Sequence, residues 1–205
     1  MKEERKMSWY TDELLMSATS KTLKYIKTDA QLRQFAYLIP HLNDYAWYVP
    51  NHQHNLPSGG LIVISPVCGK RNFNLYRQAF LNYYELTVLE SKASFLTETE
   101  GRIVPKAPEI KKSFREFLVA LSQEIDTPVL YYTASSWGGT FDYELSFLYQ
   151  PEEILYTSPT HFEDVKPDEK QNALVEGLAG IGVTTLGFFA PHTREFEWDK
   201  YKIVD

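Results

Sequence analysis

Asp142 and Glu144 stand two positions apart in the stretch YYTASSWGGTFDYELSFLY, residues 131 to 149. On an extended chain that spacing turns both carboxylates to one side, with Cα atoms roughly 6.5 to 7 Å apart. Carboxylates paired in this way can pass protons or hold a cation. A second candidate is His192 in APHTREFE, beside Arg194 and Glu195 where an apolar run turns; an imidazole there can act as acid or base. The other histidines offer less. His52 and His54 sit at strand spacing within PNHQHN, a loop composition, and His41 and His161 stand in no recognisable constellation. Cys68 follows an apolar run directly, where a lone thiol reads as inert packing. A dinucleotide fingerprint, a P-loop, a zinc-binding helix and an EF-hand are all missing, so neither a cofactor nor a metal is expected. Silence of motifs lowers the expectation of an enzyme without removing it, because active sites gather residues distant in sequence.

The two carboxylates need a hairpin to present them. Gly138 and Gly139 suit the positive φ of a tight two-residue turn, and with them at the bend the register across the strands is set. One face pairs Ser136 with Phe141, Ala134 with Tyr143, Tyr132 with Leu145 and Leu130 with Phe147. The other pairs Trp137 with Thr140, Ser135 with Asp142, Thr133 with Glu144 and Tyr131 with Ser146. The first set is apolar and the second polar, and a slip of one residue would spoil both. A nucleophile elbow would lead from strand into helix, whereas this turn leads into a strand and leaves Ser136 on the apolar side. The expectation is a water-facing surface of Tyr131, Thr133, Ser135, Trp137, Asp142 and Glu144, with His192 as a further site residue.

Around this hairpin the sequence predicts a mixed set of elements. Thr11-Asp12-Glu13 resembles a capped helix start, with Leu14, Leu15, Ala18, Leu23 and Ile26 at helical spacing. Thr28 and Gln31 form a capping box for a second helix carrying Leu32, Phe35, Ala36 and Ile39, stopped by Pro40. Residues 1–40 are thus expected to be a helical pair. Further helices are read over 73–87, over 110–125 from the spacing of Phe114, Phe117, Leu118, Leu121 and Ile125, and over 167–179 with Gly180 as its cap. Strands are expected over 61–67, 153–157, 183–190 and 195–199, with a hairpin over 95–104 bent at Glu100-Gly101. Loops are read over 50–60 and 157–166. Helices and hairpins without regular βαβ alternation predict one α+β domain over 1–205, with a mainly antiparallel sheet packed against four to five helices.

The chain has 205 residues, 14 Tyr, 12 Phe and 4 Trp, enough to build a sizeable core. A net charge of −6 gives no footprint for nucleic acid, and a basic protein partner fits it better. No run reaches the length needed to cross a bilayer. The charged N-terminus lacks a secretory h-region, and a single cysteine leaves no intrachain disulfide, so a cytoplasmic protein is expected.

In its second half the chain runs through SSWGGTFDYELSF, then KQNALVEGLAGIGVTTLGFF, then APHTREFEW. This succession of strand, Gly-Gly turn, strand, polar loop, helix and closing strand resembles small bacterial proteins found as immunity partners of toxins. The resemblance is one of layout and carries no site residue. It implies a non-enzymatic protein-binding or inhibitor role, in which acidic and aromatic groups block a basic surface. The alternative is an enzyme on a polar small substrate, with Asp142, Glu144 or His192 as acid or base. Self-association through exposed aromatics is a third possibility.

Overall fold

The computed structural model of the chain describes residues 8–43, 55–64, 96–99, 102–105, 112–137, 140–152, 154–156, 173–184, 189–193 and 196–203. The expected helix over 73–87, the turn residues Gly138 and Gly139, and Cys68, His52, His54 and His161 lie outside them.

The architecture is α+β. Strand β1 (Ser8–Ser17) comes first, where the sequence predicted the start of a helix. Leu14, Leu15 and Met16 are consecutive and all buried. That is the mark of a strand covered on both faces, not of a helical stripe. Helix α1 (Ser20–Thr28) starts at Thr19, whose Oγ1 accepts the Thr22 N–H at 3.1 Å. Helix α2 (Ala30–Arg33) is capped by Asp29 rather than Thr28, with Oδ1 accepting the Gln31 and Leu32 N–H groups at 3.0 Å each. The Thr28 hydroxyl turns back to the Lys24 and Tyr25 carbonyls. The expected second helix therefore lasts one turn, and Ala36–Ile39 form strand β2. The helical pair expected over residues 1–40 gives way, from residue 8 on, to strand, two helices, strand.

Strand β3 (Leu61–Ile64) follows a turn in which Gly60 adopts φ 92°. Strands β4 (Leu96–Thr99) and β5 (Arg102–Pro105) pair as a separate antiparallel hairpin, as the sequence predicts. Helix α3 (Lys112–Ile125) matches its apolar spacing and ends at Asp126, which takes a left-handed φ of 54°. Strands β6 (Val129–Trp137), β7 (Thr140–Tyr149) and β8 (Ile154–Tyr156) complete a six-stranded sheet of order β2-β3-β1-β6-β7-β8, antiparallel throughout. Helix α4 (Ala173–Gly180) includes Gly180, expected as its cap; Gly182, at φ 80°, takes the left-handed position instead.

Of the expected strands over 183–190 and 195–199, the described residues 183, 184, 189, 190 and 196–199 hold a bridge and short turns instead. Thr184 makes one bridge to Asn55, and Ala190–His192 and Trp198–Tyr201 are 3-10 turns. Phe196 and Trp198 are buried, with Glu197 between them exposed, so the alternation is real but a turn produces it. Tyr37 and Phe196 pack edge-on against Trp198 at 5.2 and 4.7 Å.

The sheet is the middle layer of three. On one face Leu14, Met16, Ile62, Ile64, Val129, Tyr131, Leu145 and Phe147 meet Ile26, Leu32, Phe114, Leu118, Leu121 and Ile125 of α1 to α3. On the other, Leu15, Ile39, Leu61, Val63, Leu130, Tyr132 and Leu148 meet Leu174 and Leu178 of α4, with Phe189, Phe196 and Trp198. Each large side chain sealed in this way stabilises the fold by about 1.5 to 3 kcal/mol before entropic costs. Among the described residues no helix is long and apolar enough to cross a membrane.

Candidate functional site

The hairpin register decides which side chains meet. Trp137 pairs with Thr140 and Ser136 with Phe141, as the sequence predicts. Beyond these the ladder slips at a β-bulge: Ser135 pairs with Tyr143, leaving Asp142 as the extra residue. From there every predicted pairing is displaced by one, so that Ala134 faces Glu144, Thr133 faces Leu145, Tyr132 faces Ser146 and Tyr131 faces Phe147. A bulge of this kind places two residues opposite one and resets the alternation beyond it.

Three members of the surface expected to meet water, Tyr131, Thr133 and Glu144, are instead buried. Tyr131 is buried beneath α3, with the Phe114 ring edge-on at 4.9 Å. Thr133 is buried on the same face, its hydroxyl donating to the Thr11 carbonyl at 3.0 Å. Glu144 is 4% exposed and lies on the opposite face, toward α4. Ser135, Trp137 and Asp142 occupy strand positions in β6 and β7, and their side chains lie outside the described residues.

Glu144 and His192 do come together, through two residues that the sequence reading missed. Glu13 of β1 lies opposite Tyr132 of β6, and both project to the α4 face. Tyr132 donates its hydroxyl to Glu144 Oε1 at 2.7 Å. The His192 ring stacks on Tyr132 with centroids 5.4 Å apart, and Phe189 meets it edge-on at 4.9 Å. His192 Nε2 reaches Glu13 Oε1 at 2.5 Å. Glu13 is sealed, while the His192 side chain keeps 11% of its surface exposed, which makes it the rim of the cluster. Backbone N–H groups of Ala173 and Leu174 also bind the Glu144 carboxylate, and the Ser146 hydroxyl donates to the Ala173 carbonyl. Together Glu144 and Ser146 fix the start of α4.

Burial is the largest influence on Glu144. It raises the carboxyl above its ordinary value, although Tyr132, the two α4 N–H groups and His192 all pull the other way. Tyr132 is driven well above the usual tyrosine value, first by burial, then by the Glu144 carboxylate and finally by Glu13. Glu13 Oε2 and Thr11 Oγ1 are buried without a hydrogen-bond partner among the described residues. Chemically the cluster can store and exchange protons. Among the described residues no group of three or more His, Cys, Asp and Glu side chains is placed to hold a metal.

A second feature lies on the surface. Leu23 and Lys27 of α1, Leu38 and Pro40 at the end of β2, and Lys200, Tyr201, Lys202 and Ile203 line a groove of about 380 Å³. Leu23, Leu38 and Tyr201 are half-buried there, and the three lysines are exposed.

No family model, curated protein or solved structure matches the chain. What it does must be read from these two features.

Proposed function

We propose that the chain is a non-enzymatic, cytoplasmic protein-binding protein of the inhibitor or immunity type, and that it engages its partner through the groove between α1, β2 and the C-terminal turn. The supporting observation is the groove itself: half-buried Leu23, Leu38 and Tyr201 present apolar surface at a lysine rim, the mixture of apolar centre and polar edge that protein contacts use. Tyrosine is among the residues that dominate such contacts. The hairpin face read from the sequence no longer serves, because Tyr131, Thr133 and Glu144 are occupied inside the fold. A single cysteine fits a reducing compartment.

The test is to crosslink tagged chain in its source cells and purify it. The expected result is one protein in a complex of fixed stoichiometry, lost in a Leu38→Asp/Tyr201→Asp variant whose circular dichroism is unchanged. A chain recovered only by itself, or a complex indifferent to both changes, overturns the reading.

A second reading is favoured by one observation, the contact of His192 with buried Glu13 at the rim of a cluster that includes Glu144. On this reading the chain acts on a polar small substrate with His192 and the glutamates as acid and base. Thermal-shift screening against polar metabolites, with any hit abolished by His192→Asn, separates it from the first.

A further inference from the structure

The groove also carries a statement about what fills it. Strand β2 is an edge of the sheet, and edges commonly recruit a partner by adding a strand. Here that route is closed over Ala36 and Tyr37, because Lys202 bridges to Tyr37 and the Ile203 N–H donates to the Ala36 carbonyl at 3.1 Å. Pro40 then follows the strand and offers no N–H. Recognition must therefore come from side chains. Leu23, Leu38 and Ile203 supply a floor for one apolar group. Around it stand Lys27, Lys200 and Lys202, of which Lys200 is paired with Glu197. Three ammonium groups line this rim and, among the described residues, no carboxylate lines it; counting Glu197 and the neighbouring Asp199 of the same turn against them leaves one formal positive charge, in a chain whose net charge is −6. Local charge and overall charge have opposite signs, so the groove selects an occupant that the rest of the surface repels.

We infer that the groove receives an acidic segment of a protein partner, which seats one apolar side chain on Leu23, Leu38 and Ile203 and directs carboxylates at Lys27 and Lys202. This inference rests on the protein-binding reading above and names the chemistry of the partner at this site. It also turns the expectation of a basic partner around for this contact. Exposed pairs of this kind are individually weak and screened by salt, so affinity falls as ionic strength rises.

The test uses the full-length, nitrogen-15-labelled chain titrated at low salt with a hexapeptide of alternating Glu and Leu, and followed by amide shifts. The expected result is movement of the Leu23, Leu38, Tyr201 and Ile203 signals, saturating with peptide and weakening at least tenfold in a Lys27→Gln/Lys200→Gln/Lys202→Gln variant. A hexapeptide of alternating Lys and Leu should move none of them. Still groove signals, equal response to both peptides or an unweakened triple variant overturns the inference. So does a groove that responds to phosphatidylglycerol vesicles and not to the acidic peptide, which would assign it to a membrane surface. A partner captured through the groove whose contacting segment is not acidic removes this inference alone and leaves the protein-binding reading standing. A chain that captures no partner, or one whose footprint lies elsewhere, removes that reading and this inference with it.

Discussion

Replacing Glu144 by Gln should change how stability depends on pH, in a direction fixed by the cluster. Burial raises the carboxyl above its ordinary value of 4.5, so over the interval between that value and the folded one the native chain holds a proton that the unfolded chain has released. The sign follows from the proton count: stability from this group is complete below the unfolded value and is lost as pH rises through the folded one. The loss proceeds at up to about 1.4 kcal/mol per pH unit. For a chain of this length that equals roughly 3 to 6 °C in melting temperature per unit. Gln keeps an acceptor for the Tyr132 hydroxyl and carries no charge, so Glu144→Gln lacks this falling limb. Tyr132→Phe tests the same bond from the other side. It leaves the carboxylate without one of its donors, costing about 1.5 to 3 kcal/mol once Glu144 is ionised and nearer 1 kcal/mol while it is neutral. Urea titrations from pH 4 to 8, read by Trp fluorescence and circular dichroism together to confirm a two-state transition, give all three profiles. Groups remote from the cluster cancel in the differences, and Glu13, His192, Tyr132 and the α4 N–H groups are its neighbours. Relative to wild type, the Gln variant should gain and the Phe variant lose as pH rises. Three parallel profiles would refute the buried, proton-holding Glu144.

Gly59→Ala should be severely destabilising, by at least about 3 kcal/mol, because a Cβ there would stand 1.9 Å from the Ala18 carbonyl oxygen and neither backbone can yield; an unchanged urea midpoint would disprove that approach. Gly177→Ala sets a Cβ 2.7 Å from Leu130 Cδ1 and 2.8 Å from Ser146 Oγ, and the overpacking of α4 on the sheet should cost about 1 to 3 kcal/mol. Asp29→Ala removes the cap of α2 and should cost about 1 kcal/mol, measurable as a shift in urea midpoint at neutral pH, with Asp29→Asn recovering most of it.

Particular residues show what was legible in the sequence. Phe114, Phe117, Leu118, Leu121 and Ile125 recur at three and four because one face of α3 is wet, and a half-wet helix writes its period plainly. Over residues 11–16 β1 is wet on neither face, so Leu14-Leu15-Met16 shows no alternation. Its Thr11-Asp12-Glu13 imitates a helix cap, although Asp12 and Glu13 are buried in a strand. The hairpin strands were readable but their faces were not. Tyr131 and Tyr132 are both buried, on opposite sides of the sheet, and a tyrosine, apolar in body and polar at its tip, gives no vote on which side is inner. Half of the site was visible as Glu144 and His192. Glu13 and Tyr132 became partners only through β1–β6 pairing and through His192, 179 residues away from Glu13, a closeness that no local pattern records.

The bulge at Asp142 has a consequence for the history of this chain. Asp142 is the surplus residue of a ladder in which Ser136 faces Phe141 and Ser135 faces Tyr143, so a chain lacking it would simply straighten β7, with Glu144 still under α4 and Leu145 still under α3. Losing two would leave the strand one residue short and exchange the furnishings of the two layers at a stroke. Descendants of a common ancestor should therefore shed a single residue here freely, and a loss of two should be found only where a second, compensating irregularity has been acquired nearby.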